Sequence, residues 1–148
     1  MGESSGAGSL TAWDAPPKVP RSVAGAVPYL VVAFGGALGA VARVAVSNLF
    51  VRRLGVSWPY GTLFINVTGC LAIALFLTYF SDRELNPNWR YFFPTGFVGA
   101  YTTFSTFEYE LVRLVETRST AGTAAYFVLS NGLGFVACLL GIWLGRRP

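Results

Sequence analysis

Residues 99–110 read GAYTTFSTFEYE. Four small hydroxyl side chains (Thr102, Thr103, Ser105, Thr106) surround Phe104 and Phe107, and Glu108 and Glu110 follow. Upstream, Pro94, Gly96 and Gly99 work against an unbroken helix, since proline removes a donor and glycine is a poor helix former. A break near Gly99–Thr102 would free backbone carbonyls. In an apolar setting, irregular backbone is tolerated only where protein or an ion satisfies it, so the carbonyls of Gly99 and Thr102 are candidates to coordinate a cation. Phe104 and Phe107, at i and i+3, share a helix face; as a bare pair they fit packing or lipid exposure as well as any site.

Other polar residues recur at helical spacing in apolar surroundings. Thr62 and Asn66, four apart, present a hydroxyl and an amide to one side, either for a site or for a helix-packing hydrogen bond. Tyr126 and Ser130 repeat the spacing, with Asn131 adjacent. Arg43 lies in the later part of an apolar run, as a snorkelling side chain or as a fixed cation that anchors the fold or attracts an anion. Catalysis is disfavoured: the chain has no His and only one Lys, Lys18, so the usual general bases are nearly absent. Cys70 and Cys138 read as small packing residues.

The elements that hold these residues are membrane spans. The 148 residues are 53% hydrophobic and 12% charged, with a mean hydropathy of +0.52; about 25% charge is usual in soluble domains. Four apolar runs, 28–51, 60–80, 91–115 and 123–145, each approach the ~20 residues that cross a bilayer as a helix. The predicted fold is an all-α membrane protein of four spans with the third broken, multi-pass in the cell membrane. Short connections make neighbouring spans antiparallel. Trp58, Trp89 and Trp143 fall at span ends, as interfacial anchors do. Residues 1–27, Gly/Ser/Ala-rich and then Pro-rich, read as a disordered tail without a signal-peptide pattern. A net charge of +4 without a basic stripe interleaved with aromatics points to lipid headgroups and away from nucleic acid.

The basic residues favour neither orientation strongly. Lys18, Arg21, Arg83, Arg90, Arg146 and Arg147 lie on the side of the termini, against Arg52, Arg53, Arg113 and Arg118 on the other, six to four. A chain so balanced is expected to insert both ways and to pair as an antiparallel dimer with inverted symmetry. Gly35, Gly36, Gly39 and Ala40 in the first span, and Gly132, Gly134 and Gly141 in the fourth, form small-residue faces for close helix contact.

Taken in order, GGALGAVAR, GTLFINVTG, GFVGAYTTFSTF and YFVLSNGLG resemble the Fluc/CrcB family of fluoride channels, and the resemblance runs from about Val31 to Gly145. It implies a passive fluoride channel that lets the ion leave the cytoplasm, built as an antiparallel homodimer with pores along the subunit interface. It also implies a structural, untransported sodium ion on the carbonyls of Gly99 and Thr102. The pore residues it carries over are Asn66, Phe104 and Phe107, with Tyr126 and Ser130 on a polar track and Thr62 beside Asn66. Arg43 matches the family arginine of the first span, and Glu110 would stand on the vestibule wall. Two positions depart from the pattern: Glu108 follows the motif where a small or polar residue is usual, and Gly134 lacks a hydroxyl that some members carry.

Two other readings of a short four-span chain are weaker. A proton-coupled small multidrug exporter needs a membrane-embedded acid, and the first span contains none. A non-conducting subunit of a hetero-oligomeric channel, or a structural membrane protein, would show no flux when reconstituted by itself.

Overall fold

A computed structural model describes residues 25–81, 83, 85–117 and 120–147. Most of the expected N-terminal tail, residues 1–24, lies outside them, as do Asp82, Glu84 and Arg118 of the predicted loops. The described residues are helical and contain no strand. Helix α1 spans Val27–Leu54, α2 Tyr60–Tyr79, α3 Pro87–Arg90, α4 Gly99–Tyr101, α5 Phe104–Thr117 and α6 Thr120–Gly145, and a π-helical segment, Tyr91–Val98, joins α3 to α4. Helices α1, α2 and α6 are long and apolar enough to cross a membrane. The predicted third span is the chain of pieces from α3 to α5, and its interruption falls at Thr102–Thr103, within a residue of the expected place.

Local chemistry explains these pieces. Asn86 caps α3 by accepting from the Asn88 N–H at 2.9 Å, and Pro87 fills the first helical position, where its missing N–H costs nothing. Pro94 would break an α-helix, and the wider π turn accommodates it. Thr95 Oγ1 donates to the Arg90 carbonyl at 3.3 Å, the acceptor that Pro94 cannot serve. The Gly99 N–H then returns to the carbonyls of Gly96 and Pro94.

The glycine faces do form close contacts, but within one chain. A Cβ on Gly35 would overlap the Phe92 carbonyl, one on Gly39 would overlap the Phe97 carbonyl, and one on Gly96 would come 2.9 Å from the Val32 carbonyl. These residues therefore seat α1 directly on the π-helical segment. Likewise a Cβ on Gly141 would lie 2.7 Å from the Leu71 carbonyl and one on Gly145 3.0 Å from the Leu75 carbonyl, so α6 lies backbone to backbone on α2. Only Gly132 of the fourth-span set has open space around it. Close approach without a side chain between helices maximises dispersion contact, which lipid cannot supply by hydrophobic exclusion. The expected antiparallel dimer therefore draws no support from these glycines. Large apolar side chains stay exposed in the single chain, among them Phe34, Val41, Phe104, Phe127 and Phe135.

Candidate pore site

Helix α5 begins at the break and carries the first half of the site. Its buried stripe is Phe107 and Leu114, with Leu111 packed beside them against Tyr126 of α6. This i, i+4, i+7 spacing turns Phe107 inward, where it is 5% exposed, whereas Phe104 is 73% exposed in the single chain. Sequence spacing alone gave them equal standing. The rings remain neighbours, 6.1 Å between centroids, and Phe107 also packs on Tyr126 at 5.2 Å and on Phe127 at 6.4 Å.

At the break, two side chains redirect backbone donors. In an unbroken helix the N–H of Thr103 would go to the Gly99 carbonyl and that of Thr106 to the Thr102 carbonyl. Instead, Thr103 N–H donates to Asn66 Oδ1 at 2.9 Å, and Thr106 N–H donates to Thr103 Oγ1 at 3.3 Å. The second bond makes Thr103 the N-cap of α5. Asn66 closes its half of the pair by donating through Nδ2 to the Thr103 carbonyl at 3.2 Å. The amide of α2 thus stands in for a helical neighbour. Thr103 is buried and central to this arrangement, yet it did not stand out among its hydroxyl neighbours in the sequence. The signal available was its position, a threonine immediately before a resumed apolar helical period.

One turn before Asn66, Thr62 is buried and donates to Glu110 Oε1 at 2.8 Å, and the fully buried Tyr126 donates to Glu110 Oε2 at 2.7 Å. Glu110 is therefore no bare wall group: both its carboxyl oxygens accept from hydroxyls of other helices, tying α2, α5 and α6 together. Both hydroxyls are in turn committed to Glu110. Trp58 stands edge-on to Tyr126, 5.1 Å between ring centroids, and so packs the inside of this cluster, unlike the half-exposed Trp89 and Trp143.

Two cavities follow each other along α2 and α5. A larger one, about 750 Å³, is bordered by Ser47, Trp58, Thr62, Thr106, Glu110 and Arg113. The next, about 380 Å³, is bordered by Asn66, Thr103, Phe104, Phe107, Ser130 and Asn131, and Thr102 and Cys70 also reach it. Ser130 borders this cavity, with its Oγ shielded inside the packing and beside the Tyr126 hydroxyl. Asn131 Nδ2 donates one hydrogen to the Phe127 carbonyl one turn back, at 2.8 Å. Of the expected site residues, Asn66, Phe104, Phe107, Ser130 and Thr102 meet around the smaller cavity. Thr62 and Glu110 border the larger one, Tyr126 lies between α5 and α6 against Phe107, and Gly99 stands three residues before Thr102. Arg43 is half-buried on α1 and joins none of them. The exposed Glu108 borders neither cavity.

Residues 30–142 match the model of the CrcB-like protein, Camphor Resistance (CrcB) family. The chain belongs to this family. A protein of Acidobacterium capsulatum named fluoride-specific ion channel FluC is 51% identical over 120 residues, 80% of this chain and 96% of that protein. FluC of Trichormus variabilis is 40% identical over 119 residues, covering 79% and 87% of the two chains. FluC 1 of Leifsonia xyli is 43% identical over 116 residues, covering 78% and 85%. The matched CrcB segment contains both cavities and the break, and its start near the head of α1 agrees with the expected start of the resemblance.

Proposed function

We propose that this CrcB-family chain is a fluoride channel of the cell membrane, through which the ion leaves the cytoplasm passively. The observation that carries this reading is a single cavity that gathers Asn66, Phe104, Phe107 and Ser130, in a chain 51% identical over 120 residues to a protein named for fluoride.

The chemistry follows from the cost of dehydration. Moving a carboxylate-sized ion into a medium of low dielectric costs of order 20 kcal/mol in the Born limit, and a smaller anion costs more. A fluoride pathway must therefore offer donors, and the Glu110 carboxyl group beside it has both oxygens occupied by hydroxyls. Ser130 supplies an O–H. Asn66 holds the Thr103 carbonyl with one amide hydrogen and keeps the second for an anion. The rings of Phe104 and Phe107 offer their electropositive edges. Thr62 and Glu110 border the larger cavity; with the hydroxyls of Thr62 and Tyr126 turned to the Glu110 carboxyl group, they align α2, α5 and α6 around the route.

The functional unit is an antiparallel homodimer with the pores along the subunit interface, so that the exposed Phe104 is covered by the partner. Sodium completes the fold: the carbonyls of Gly99 and Thr102, whose helical donors are diverted to Asn66 and Thr103, suit a hard cation that takes oxygen ligands. Bound there, it would join the two broken helices and add positive potential at membrane depth.

Reconstituting this polypeptide alone in liposomes and measuring fluoride efflux tests the reading. Fluoride leaves faster than chloride by orders of magnitude if it holds; the absence of fluoride efflux from folded dimers would overturn it in favour of a subunit that needs a second chain.

A further inference from the structure

We propose that Cys70 and Cys138 form a two-thiol binding site for a soft, thiophilic metal ion in the wall of the smaller cavity. They are the only cysteines of the chain, and both are free. They lie on different helices, 68 residues apart in sequence, yet Cys138 Sγ donates to the Cys70 carbonyl at 3.5 Å, which brings the two residues side by side. The cause is the glycine seam between α2 and α6: a Cβ on Gly134 would lie 3.5 Å from Cys70 Sγ, so the Cys70 sulfur fills the groove that Gly134 leaves, one turn before Cys138. Both residues are half-buried and border the cavity that holds Asn66, Phe107 and Ser130.

The donor set decides the ligand. No group of three or more metal-ligating His, Cys, Asp or Glu side chains occurs among the described residues, so zinc, which takes four ligands, is poorly served. No carboxylate borders this cavity, so the two sulfurs have no anionic oxygen beside them with which to hold a hard cation. Two sulfurs suit soft ions that accept two thiolates, such as mercury(II) or copper(I). A metal–sulfur bond of roughly 2.3 Å places the sulfurs about 4.6 Å apart across a linear ion, a span suited to two residues already joined by a thiol-to-carbonyl hydrogen bond. Mercuric chloride is neutral and reaches an apolar cavity without the cost of a bare charge. In the reaction, two S–H and two Hg–Cl bonds break and two Hg–S bonds form. Two protons and two chlorides leave, and no oxidation state changes. The product ties α2 to α6 and places a heavy atom in the wall of the cavity that Ser130 also borders, which blocks anion passage; this consequence, unlike the binding, rests on the channel reading above.

The test uses the full-length protein in detergent, with Cys70→Ser, Cys138→Ser and the double variant. One equivalent of mercuric chloride should give a single intact-mass adduct of one mercury per chain, with both thiols lost to maleimide labelling. That adduct should survive a millimolar monothiol that strips mercury from each single variant. A mixture of chains carrying none, one and two metals, or release from wild type as readily as from the single variants, would overturn the site. In liposomes, mercuric chloride should cut wild-type fluoride efflux more than tenfold relative to the untreated rate and leave the relative rate of the double variant unchanged. Equal inhibition of both would overturn the proposed block. Should the untreated protein carry no fluoride, the channel reading fails while the mass measurement still decides the metal site.

Discussion

Replacing Asn66 with leucine tests the clamp at the helix break, because leucine keeps the branched heavy-atom skeleton and loses both polar functions. The Thr103 N–H then loses its acceptor at 2.9 Å and the Thr103 carbonyl its donor at 3.2 Å. Leaving a buried donor or acceptor unsatisfied costs about 1–3 kcal/mol each, so the two together cost roughly 2–6 kcal/mol, reduced where water from the cavity reaches them. Taking ~3 kcal/mol as a working value, the melting temperature falls by about 6–12 °C. The control is Asn131→Leu. Its amide also donates to a carbonyl, that of Phe127 at 2.8 Å, but this acceptor lies inside continuous α6. Hydrogen bonds of this sort in membranes average about 0.6 kcal/mol, so the control should move by no more than ~2 °C on the same scale. The assay is thermal unfolding of the purified protein in one detergent, followed by loss of its assembled species on gel filtration. Equal shifts for the two variants would refute the claim that Asn66 substitutes for helix backbone.

Phe104→Ile and Phe107→Ile should both lower fluoride efflux steeply by removing the ring quadrupole; only the buried Phe107→Ile should also lower stability, by about 1–3 kcal/mol, and wild-type efflux in both would sink the ring-edge role. Assembly or flux should require sodium and should keep that requirement in Thr102→Val, whose lost hydroxyl merely donates to the Val98 carbonyl at 3.0 Å; full activity in medium free of sodium, with no other cation in its place, would argue against a carbonyl-bound ion. Tags at the C-terminus should label from both sides of the membrane; labelling from one side only would refute dual insertion.

What could be read from the sequence followed the periodicities. The apolar runs located α1, α2 and α6 to within a few residues, because a helix in lipid must satisfy its backbone internally and its length is set by the bilayer. The break was legible because Pro94, Gly96 and Gly99 precede a hydroxyl-rich stretch, although the π-helical form of Tyr91–Val98 was not: it depends on how α1 fits against that segment through Gly35 and Gly39. The site was legible by residue type and less so by partner. Spacing put Thr62 and Asn66 on one face, but nothing in α2 says that Thr62 meets Glu110, 48 residues on, or that Asn66 meets the backbone of Thr103, 37 residues on. Such partners are fixed by tertiary packing, as is the difference between buried Phe107 and exposed Phe104 on one helix face.

The break and the cavity have a common origin. A helix interrupted at membrane depth needs donors and acceptors from outside itself, and here α2 supplies them through Asn66. Supplying them requires a polar side chain on an otherwise apolar helix, close to the point where α5 restarts, and so that side chain necessarily borders whatever space the interruption leaves. The space is the cavity of Asn66, Phe104, Phe107 and Ser130. Resuming the helix at Phe104 rather than continuing it also sets the phase of α5, which turns Phe107 toward Tyr126 and brings Glu110, one turn on, to the hydroxyls of Thr62 and Tyr126. An uninterrupted third span would lose both results at once. Its Gly99 carbonyl would take back the Thr103 N–H, Asn66 would be left with two unsatisfied functions, and α5 would point a different face at α6. The interruption is therefore the feature from which the polar lining, the inward ring and the Glu110 contacts all follow.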